Sequence, residues 1–421
     1  MYQLYSELKE ENKKENYIMT RWSIPFAGFL LALMGGLSYA WGVFVVPMEK
    51  TFGWSTAEAT LPFTVFMIVF ALVMVPAGWL QDKIGPRKVA AIGAALFFVA
   101  YSLSALVDYI PLAWWLVITY GVIGGIACGT TYACVAPPAR KWFPDKPGFA
   151  ISLSVMGFGL AALGFAPLKR GYIIPMFGIG GTFLFLAIMT SVVCFLAALL
   201  IKNPPDGWMP PGWNPDKDIR KTVTANSELT PKEVVRSPVF WNIWLTFALV
   251  TAGGFIALGL IPSYGERVVG LTPVMAAVAI AIFSGVNGFG RPVAGFLGDM
   301  FGIVWIMIIT YVIQTATFLS FPIFAVTLPT LYIAAALLGW GYAVTLALFP
   351  GLTSICFGTK HLGANYGLVF TAFGVGALAP SFGSWIFDVT GSYTPAFVFA
   401  GITTGIGLVL CVFFKKKYAL P

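Results

Sequence analysis

The chain has 421 residues, of which 58% are hydrophobic and only 10% charged, and its formal net charge is +8. An ordinary soluble domain carries about 25% charged residues, so this composition excludes one. Apolar runs of about 20 residues recur between short charged or Pro/Gly-rich loops, which predicts a helical protein that crosses a membrane many times. The first 21 residues are polar and lack the apolar core of a cleavable signal peptide.

Taken in chain order, the apolar pattern predicts twelve membrane spans. They lie near residues 22–48, 57–80, 88–107, 112–138, 148–168, 177–201, 239–263, 273–297, 302–322, 326–350, 363–386 and 393–414. An even number of spans puts both termini on one side. With that side assigned to the cytoplasm, it holds twenty of the 25 Lys and Arg residues, as the positive-inside rule requires. We therefore expect a multi-pass protein of a cell inner membrane or plasma membrane with both termini cytoplasmic.

The longest polar connection divides the spans into two sets of six. The predicted units are a cytoplasmic N-terminal segment (1–21), an N-terminal six-helix bundle (22–201), a cytoplasmic linker (202–238), a C-terminal six-helix bundle (239–414) and a cytoplasmic tail (415–421). The halves look related, because Gly78-Trp-Leu-Gln-Asp82-Lys-Ile-Gly85 after the second span is echoed by Gly295-Phe-Leu-Gly-Asp299-Met-Phe-Gly302 after the eighth. The sequence thus predicts an all-α membrane protein of two pseudo-symmetric bundles, with a substrate site at their interface.

One cation, Arg291, lies well inside a predicted span. It precedes Asp299, which is predicted to lie at the membrane surface, by eight residues, which is about 12 Å along a helix. A charge at that depth normally faces a water-filled cavity or a partner. A structural ion pair is the alternative to substrate binding, but no Asp or Glu falls near mid-membrane in any span. The arginine fork suits bidentate binding of a substrate carboxylate.

Four polar side chains are further candidates for substrate contact. Asn287 lies one helical turn from Arg291, and it can donate to a substrate or make a hydrogen bond between helices. Tyr132 and Tyr342 lie mid-span among small residues, and Tyr39 lies on a glycine-rich part of the first span. A buried phenol needs a hydrogen-bond partner, so these tyrosines are expected either to contact substrate or to pack against other aromatic rings.

Several motifs resemble those of a known family. The run Gly78-x-x-x-Asp82-x-x-Gly85-x-Arg87-Lys88 is similar to the signature loop of the major facilitator superfamily. More narrowly, the chain resembles the oxalate/formate antiporter family and bacterial homologues of the monocarboxylate (lactate) transporters. The matching stretches are Ser38-Tyr-Ala-Trp41, Arg140-Lys-Trp-Phe-Pro-Asp-Lys-Pro-Gly148, Gly288-Phe-Gly-Arg-Pro292 and Asn365-Tyr-Gly367. The resemblance implies the major facilitator fold and a substrate carboxylate bound by Arg291.

Three positions depart from those relatives. Asn287 stands where animal monocarboxylate transporters have an acidic residue, and a position near Val43 where they have a lysine, so their proton relay is not carried over. Phe373 stands where the oxalate-exchanging branch has a second buried cation. One buried cation suits a monoanion, because a second carboxylate would lack a counter-charge in a medium of low dielectric. Phe370 and Phe373 are expected to wall a small cavity, with contact to lipid as the alternative.

The signature loop supplies the candidate gating residues. These are Asp82, Arg87, Gly78 and Gly85, together with Asp299 of the second copy. The resemblance implies a latch that closes the cytoplasmic side, whereas the simpler alternative is loop solvation and topology signalling. The second copy has Ile303-Val-Trp305 in place of the basic residues, so its latch is expected to be weaker.

These features predict a secondary active transporter that moves a small monocarboxylate, of the L-lactate or pyruvate class, with a proton by alternating access. An anion exchanger of the oxalate/formate type is the alternative. Every Asp and Glu lies at a span end or in a loop, so the proton carrier stays open. Two cations at the outer end of span 5, Lys169 and Arg170, are expected either to attract anions or to lie among headgroups.

Other functional classes lack the residues they need. An intramembrane enzyme would need clustered His, Asp, Glu or Cys, and the chain has a single histidine, His361. We therefore expect no enzymatic activity, no cofactor and no metal site. The expected partners are the monocarboxylate anion, protons and the lipid bilayer, with no nucleic acid and a functional monomer.

Overall fold

The structure is a computed structural model that describes residues 21–205, 208–210, 228–358 and 361–418. The predicted N-terminal segment, apart from Arg21, lies outside the described residues, as do about half of the predicted linker and the last three residues of the predicted tail. Twelve long helices, labelled α1 to α12, follow the predicted order of spans. The first six are α1 (Arg21–Ala40, continued by Gly42–Phe52), α2 (Thr56–Ile84), α3 (Pro86–Ser104), α4 (Ala113–Trp142), α5 (Pro147–Leu168) and α6 (Ile174–Leu200). The last six are α7 (Pro238–Arg267), α8 (Pro273–Phe301), α9 (Ile303–Phe324), α10 (Leu328–Phe357), α11 (Leu362–Gly376, continued by Ala379–Thr390) and α12 (Thr394–Tyr418).

Local sequence explains where these helices start. Helices α3, α7 and α8 begin at a proline, whose missing N–H is not needed in the first turn. Helix α2 begins with a capping box, in which the Glu58 N–H donates to Ser55 Oγ and the Ser55 N–H donates to the Glu58 carboxylate. The linker ends in a short helix, Pro231–Arg236. At its start, hydrogen bonds from the Thr230 side chain and backbone hold the pKa of the Glu233 carboxyl below its usual range.

The connection between α5 and α6 is helical almost throughout. Within the described residues, eleven continuous helical segments are long and apolar enough to cross a membrane, and one of them, Phe149–Leu200, is 52 residues long. At 1.5 Å per residue it measures about 78 Å, more than twice a hydrocarbon core of about 30 Å. Its helical geometry breaks at Gly178, where φ is +70°. The segment is therefore two spans that meet at Gly178 without a loop: residues 169–177 extend the helix of α5, and the second span runs from the break to Leu200.

Contacts at the two ends of α6 show that it runs opposite to α3. Near its start, the Gly180 N–H donates to Asp108 at the end of α3. Near its end, the Leu199 carbonyl accepts from Arg87 at the start of α3. Helices α3 and α6 are thus antiparallel neighbours. We call the end of the molecule that holds Arg87, predicted to be cytoplasmic, the inner end, and the end that holds Asp108 the outer end.

The internal repeat predicted from the two glycine motifs is present in the backbone. Helix α2 stops at Gly85 and α8 stops at Gly302, and each glycine has φ of +87°. A side chain is strained in that region, whereas glycine is not. Both turns lead at once into the next helix, α3 or α9. The same turn recurs in the same place in each half, α1–α6 and α7–α12, which supports an origin by duplication.

Candidate functional site

Arg291 lies in the middle of the interface between the halves. It projects from α8, and the residue is 6% exposed. Its Nε donates to Asn287 Oδ1 at 3.4 Å and its Nη1 to the Val155 carbonyl of α5 at 3.2 Å. Its Nη2 and the Asn287 amide nitrogen are buried, and neither has a hydrogen-bond partner within the described part of the chain. Arg291 Nη2 and the Asn287 amide nitrogen can therefore both donate to a bound carboxylate.

Four tyrosines lie near this guanidinium. Tyr39, Tyr132, Tyr342 and Tyr366 are all close enough to interact electrostatically with Arg291. The Tyr39 hydroxyl donates to the Tyr342 hydroxyl at 3.3 Å, which joins α1 to α10. Tyr132 and Tyr342 were predicted from their mid-span positions and Tyr39 from its glycine-rich segment, and the structure brings the three together. Tyr366 was missed, although it lies in the Asn-Tyr-Gly stretch that carried part of the resemblance.

An aromatic wall with members from both halves adjoins the site. Phe370 and Phe373 of α11 stack with ring centroids 4.7 Å apart, and Phe373 is 1% exposed, so it faces the protein and not lipid. The centroid of the Phe70 ring of α2 lies 6.3 Å from that of Phe370 and 6.1 Å from that of Phe373. On the other side, Phe70 stacks on Phe158 of α5 at 5.6 Å and meets Tyr132 at 5.4 Å. Phe70 and Phe158 had no distinguishing signal among the 37 phenylalanines of the sequence.

Small residues let these helices come close enough to build the site. A side chain at Gly254 of α7 would overlap the Tyr342 ring, and one at Gly159 of α5 would overlap the backbone of Gly288 in α8. The second contact brings α5 against α8 one turn from Arg291. It explains how a backbone carbonyl of the N-terminal half, that of Val155, reaches the guanidinium.

The predicted gating residues lie at the inner end. Asp82 accepts a hydrogen bond from the neighbouring Gln81 side chain at 2.9 Å, and Arg87 donates to Leu199 of its own half. A side chain added at Gly78 would meet open space. In this conformation both charged residues bond within the N-terminal half. A latch between the halves therefore stays a prediction for another conformation.

The second copy of the motif is only partly described. The backbone of Asp299 belongs to the last turn of α8, and its side chain lies outside the description. Gly85, like its counterpart Gly302, ends its helix with positive φ. The structural requirement for these two glycines is thus clear, whereas the role of Asp299 stays a prediction.

Charged side chains join the two halves at the outer end. Glu266 and Arg267, adjacent at the end of α7, reach in different directions. Glu266 accepts two hydrogen bonds from Arg170 of α5, at 2.9 and 2.7 Å, and both side chains are about nine-tenths buried. Arg267 pairs with Glu49 of α1. Two consecutive residues of opposite charge therefore hold two different helices of the N-terminal half.

A third outer contact uses a helix terminus. Asp388 of α11 accepts from the backbone N–H groups of Thr56 and Ala57, at 3.0 and 2.8 Å. These are the first N–H groups of α2, where a carboxylate is stabilised by the helix dipole. Below this contact, the Thr60 and Ser384 hydroxyls lie 2.8 Å apart. These contacts and the two ion pairs close the outer side in this conformation.

Lys169 and Arg291 are the two least exposed cations in the described part of the chain. Lys169 is 1% exposed, and its Nζ donates to the Leu37 carbonyl of α1 at 3.3 Å and lies 5.0 Å from the centre of the Phe44 ring. Of the two alternatives for Lys169 and Arg170, a position among headgroups does not fit the structure, since Arg170 is paired with Glu266 and Lys169 is enclosed by protein. The position of Lys169 in the sequence did not predict its burial.

The comparisons with known proteins agree with this architecture. The family model described as "Major Facilitator Superfamily" matches residues 26–377 and 269–420. The chain therefore belongs to the major facilitator superfamily and is a multi-pass membrane transporter. It is 28% identical over 414 residues, 95% of this chain and 93% of the relative, to the oxalate:formate antiporter of Oxalobacter formigenes. It is also 26% identical over 368 residues, 86% of this chain and 87% of the relative, to the uncharacterized MFS-type transporter YhjX of Escherichia coli K12.

Solved structures agree on the fold. A bacterial homologue of the human lysosomal transporter Spinster, in inward-facing conformations, aligns with a TM-score of 0.66 when unoccupied and 0.69 when occupied. The alignments cover 95% and 94% of this chain and 96% and 95% of the Spinster homologue. Sequence identities of 16% and 14% limit that likeness to the fold. The predicted fold class, with twelve spans in two bundles, is confirmed.

Proposed function

We propose that this transporter carries a small carboxylate anion across the membrane by alternating access, with Arg291 binding the carboxylate. One observation carries the proposal: within the described residues, a cation that is 6% exposed is bonded to an amide oxygen, a backbone carbonyl and the Tyr132 side chain, and no carboxylate pairs with it. Burying a charge without a counter-charge is unfavourable. An anionic substrate would supply that charge and accept from the free donors of Arg291 and Asn287.

The surrounding groups favour a small substrate. Phe370 and Phe373 contribute apolar rings, and Tyr39, Tyr132 and Tyr342 contribute an apolar body with one hydroxyl each. Such a wall suits a short carbon skeleton with one carboxylate and one further polar group, as in lactate or pyruvate. In our proposal the tyrosine hydroxyls bind the second polar group. The outer ion pairs then separate to admit the anion and close again behind it.

Two ways of energising this movement are proposed, since the central site alone favours neither. The first is symport of a monocarboxylate with a proton. The second is exchange of one anion for another, and the similarity to an oxalate:formate antiporter over 95% of the chain supports it. The inner-end residues Asp82, Arg87, Gly78, Gly85 and Asp299 are proposed to close the inner side when the outer side opens.

Transport by the purified protein in proteoliposomes tests the proposal. Uptake of labelled L-lactate, pyruvate, formate and oxalate is measured with and without an inward proton gradient, and with and without an anion inside. Proton-stimulated uptake into empty vesicles supports symport. Uptake that requires an internal anion supports exchange. Failure to transport any small carboxylate would refute the proposed substrate class, while the membership of the superfamily would stand.

A further inference from the structure

We propose that Lys169 is a second anion-binding residue, and that it makes closure of the outer side depend on a bound carboxylate. The inference rests on the proposed function, since it takes the ligand to be the same small carboxylate. Lys169 lies 14 residues beyond Val155 on a continuous helical segment, so its backbone is about 21 Å along the helix axis from the residue that contacts Arg291. Its ammonium reaches back to the Leu37 carbonyl and the Phe44 ring of α1, neither of which is bonded to Arg291, so it is a separate position on the outer side of the central site.

The described surroundings of Lys169 supply no negative charge to pair with its ammonium group. The side chain is 1% exposed, and the structure gives its three N–H donors one acceptor, the Leu37 carbonyl. The Phe44 ring face adds a weak attraction for a cation. In the described part of the chain, no carboxylate pairs with Lys169. A protonated lysine held in this way lacks the counter-charge that buried ions require.

The carboxylates at this end of the molecule are already engaged. Glu266 is held by Arg170, Glu49 by Arg267 and Asp388 by the start of α2. Asp108 accepts from the Gly180 N–H at 3.2 and 3.1 Å. Glu58 caps its own helix. The protein thus supplies a partner to each of these five acids and leaves the buried lysine for an anion from outside.

The position of Lys169 links it to the outer closure and to the central site. Its neighbour Arg170 forms the ion pair with Glu266 that joins α5 to α7, so the movement that breaks the pair also exposes the segment that carries Lys169. The Leu37 carbonyl belongs to the short 3-10 turn Leu37–Ala40, which also carries Tyr39. The Tyr39 hydroxyl bonds to Tyr342 beside Arg291. An anion received at Lys169 is therefore one turn of α1 away from the central tyrosines.

This arrangement has a consequence for transport. When the outer side closes on an empty carrier, the lysine is buried without an anion, which disfavours the closed state. When a carboxylate is bound, the charge is compensated and closure is favoured. A carrier of this kind exchanges anions readily and reorients slowly when empty, because only loaded molecules avoid the uncompensated charge.

The test compares two fluxes in proteoliposomes: exchange, with labelled L-lactate outside and unlabelled L-lactate inside, and net uptake into vesicles without internal anion. Lys169→Met removes the charge, and Lys169→Gln removes the charge but keeps an N–H for the Leu37 carbonyl. We expect each variant to raise the ratio of net uptake to exchange at least 10-fold. Lys169→Arg, which keeps the charge, and Lys50→Met, which removes an exposed lysine from the same end, should keep the wild-type ratio.

Different outcomes separate the possible failures. If Met and Gln both keep the wild-type ratio while exchange continues, Lys169 does not bind the anion or is neutral in the closed state, and the inference is overturned. If Gln behaves as wild type and Met slows both fluxes equally, the lysine only caps Leu37, which also overturns it. If the wild type transports no carboxylate at all, the proposed function fails instead. Should Met fail to fold, Gln and Arg alone decide the question.

Discussion

The outer end and the centre of this transporter differ in whether their arginines have acidic partners. At the outer end, Arg170 and Glu266 form a two-bonded pair that is almost wholly buried, and Arg267 pairs with Glu49. At the centre, Arg291 has no acidic partner in the described chain and keeps a buried nitrogen free. Partners on opposite halves hold a conformation, whereas a buried cation with no protein partner is available for an anionic ligand. The predictions below test this difference.

Neutralising the central cation should have the largest effect. Arg291→Gln removes the charge and the fork that we expect to bind the carboxylate. Loss of one partner of a buried charge pair costs about 3–5 kcal/mol, so transport should fall at least about 100-fold. The measurement is uptake of labelled L-lactate into proteoliposomes. Arg236→Gln, which removes an exposed arginine of the linker helix, is the matched control and should transport normally.

A charge reversal should show that Arg170 and Glu266 stabilise the outer-closed state by pairing with each other and not by binding a ligand. Arg170→Glu places two carboxylates together and should disfavour the outer-closed state, slowing transport about 10-fold. The double variant Arg170→Glu/Glu266→Arg restores opposite charges in the same place, and it should recover transport to within about 3-fold of wild type, since paired residues are coupled. Failure of the double variant to recover would show that the pair does not act as a simple clamp.

A new cation at the centre should alter selectivity. Phe373→Lys adds a second positive charge beside the aromatic wall, where a dianion would gain a counter-charge. We expect the ratio of oxalate to L-lactate uptake to rise about 10-fold. This corresponds to a gain of about 1.4 kcal/mol in the binding of oxalate relative to L-lactate. Phe373→Met, which adds no charge, is the control. An unchanged ratio in a folded Lys variant would place Phe373 away from the bound substrate.

Removing one hydroxyl near Arg291 should have the smallest effect. Tyr342→Phe keeps the ring but removes the hydroxyl, which accepts from Tyr39 and which we propose also binds the second polar group of the substrate. One neutral hydrogen bond contributes about 1 kcal/mol, so the KM for L-lactate should rise about 5-fold with the protein's thermal stability little changed. Tyr311→Phe alters another buried phenol, bonded to Thr345 at 3.4 Å, and should leave KM unchanged. Equal effects of the two variants would indicate packing and not substrate contact.

The sequence predicted the fold well because membrane spans are local. Apolar length, prolines at helix starts and the two glycine turns are readable along the chain, and the positions of α1 to α12 follow them closely. Arg291 was recognisable because a cation is rare in an apolar run. Asn287, Tyr39, Tyr132 and Tyr342 were named individually, and the structure adds that they lie together.

The residues that were missed depend on how helices pack. Lys169 falls near a predicted span end, where a lysine normally reaches water, and only the approach of α1 encloses it. The partners of Glu49 and Glu266 lie in distant parts of the chain, so no local pattern joins them. Phe70 and Phe158 are two of many aromatic residues, and their place beside the site follows from the packing of α2 against α5 and α11.

The most direct test of the account replaces the guanidinium by another positive group. Uptake of labelled L-lactate into proteoliposomes is measured for the wild type, Arg291→Lys and Arg291→Gln at equal reconstituted protein. We predict saturable uptake by the wild type, a loss of at least about 10-fold for Lys, which lacks the two-pronged geometry, and no carrier-mediated uptake for Gln. Uptake by Arg291→Gln at the wild-type rate would contradict the central claim that Arg291 binds the carboxylate of the substrate.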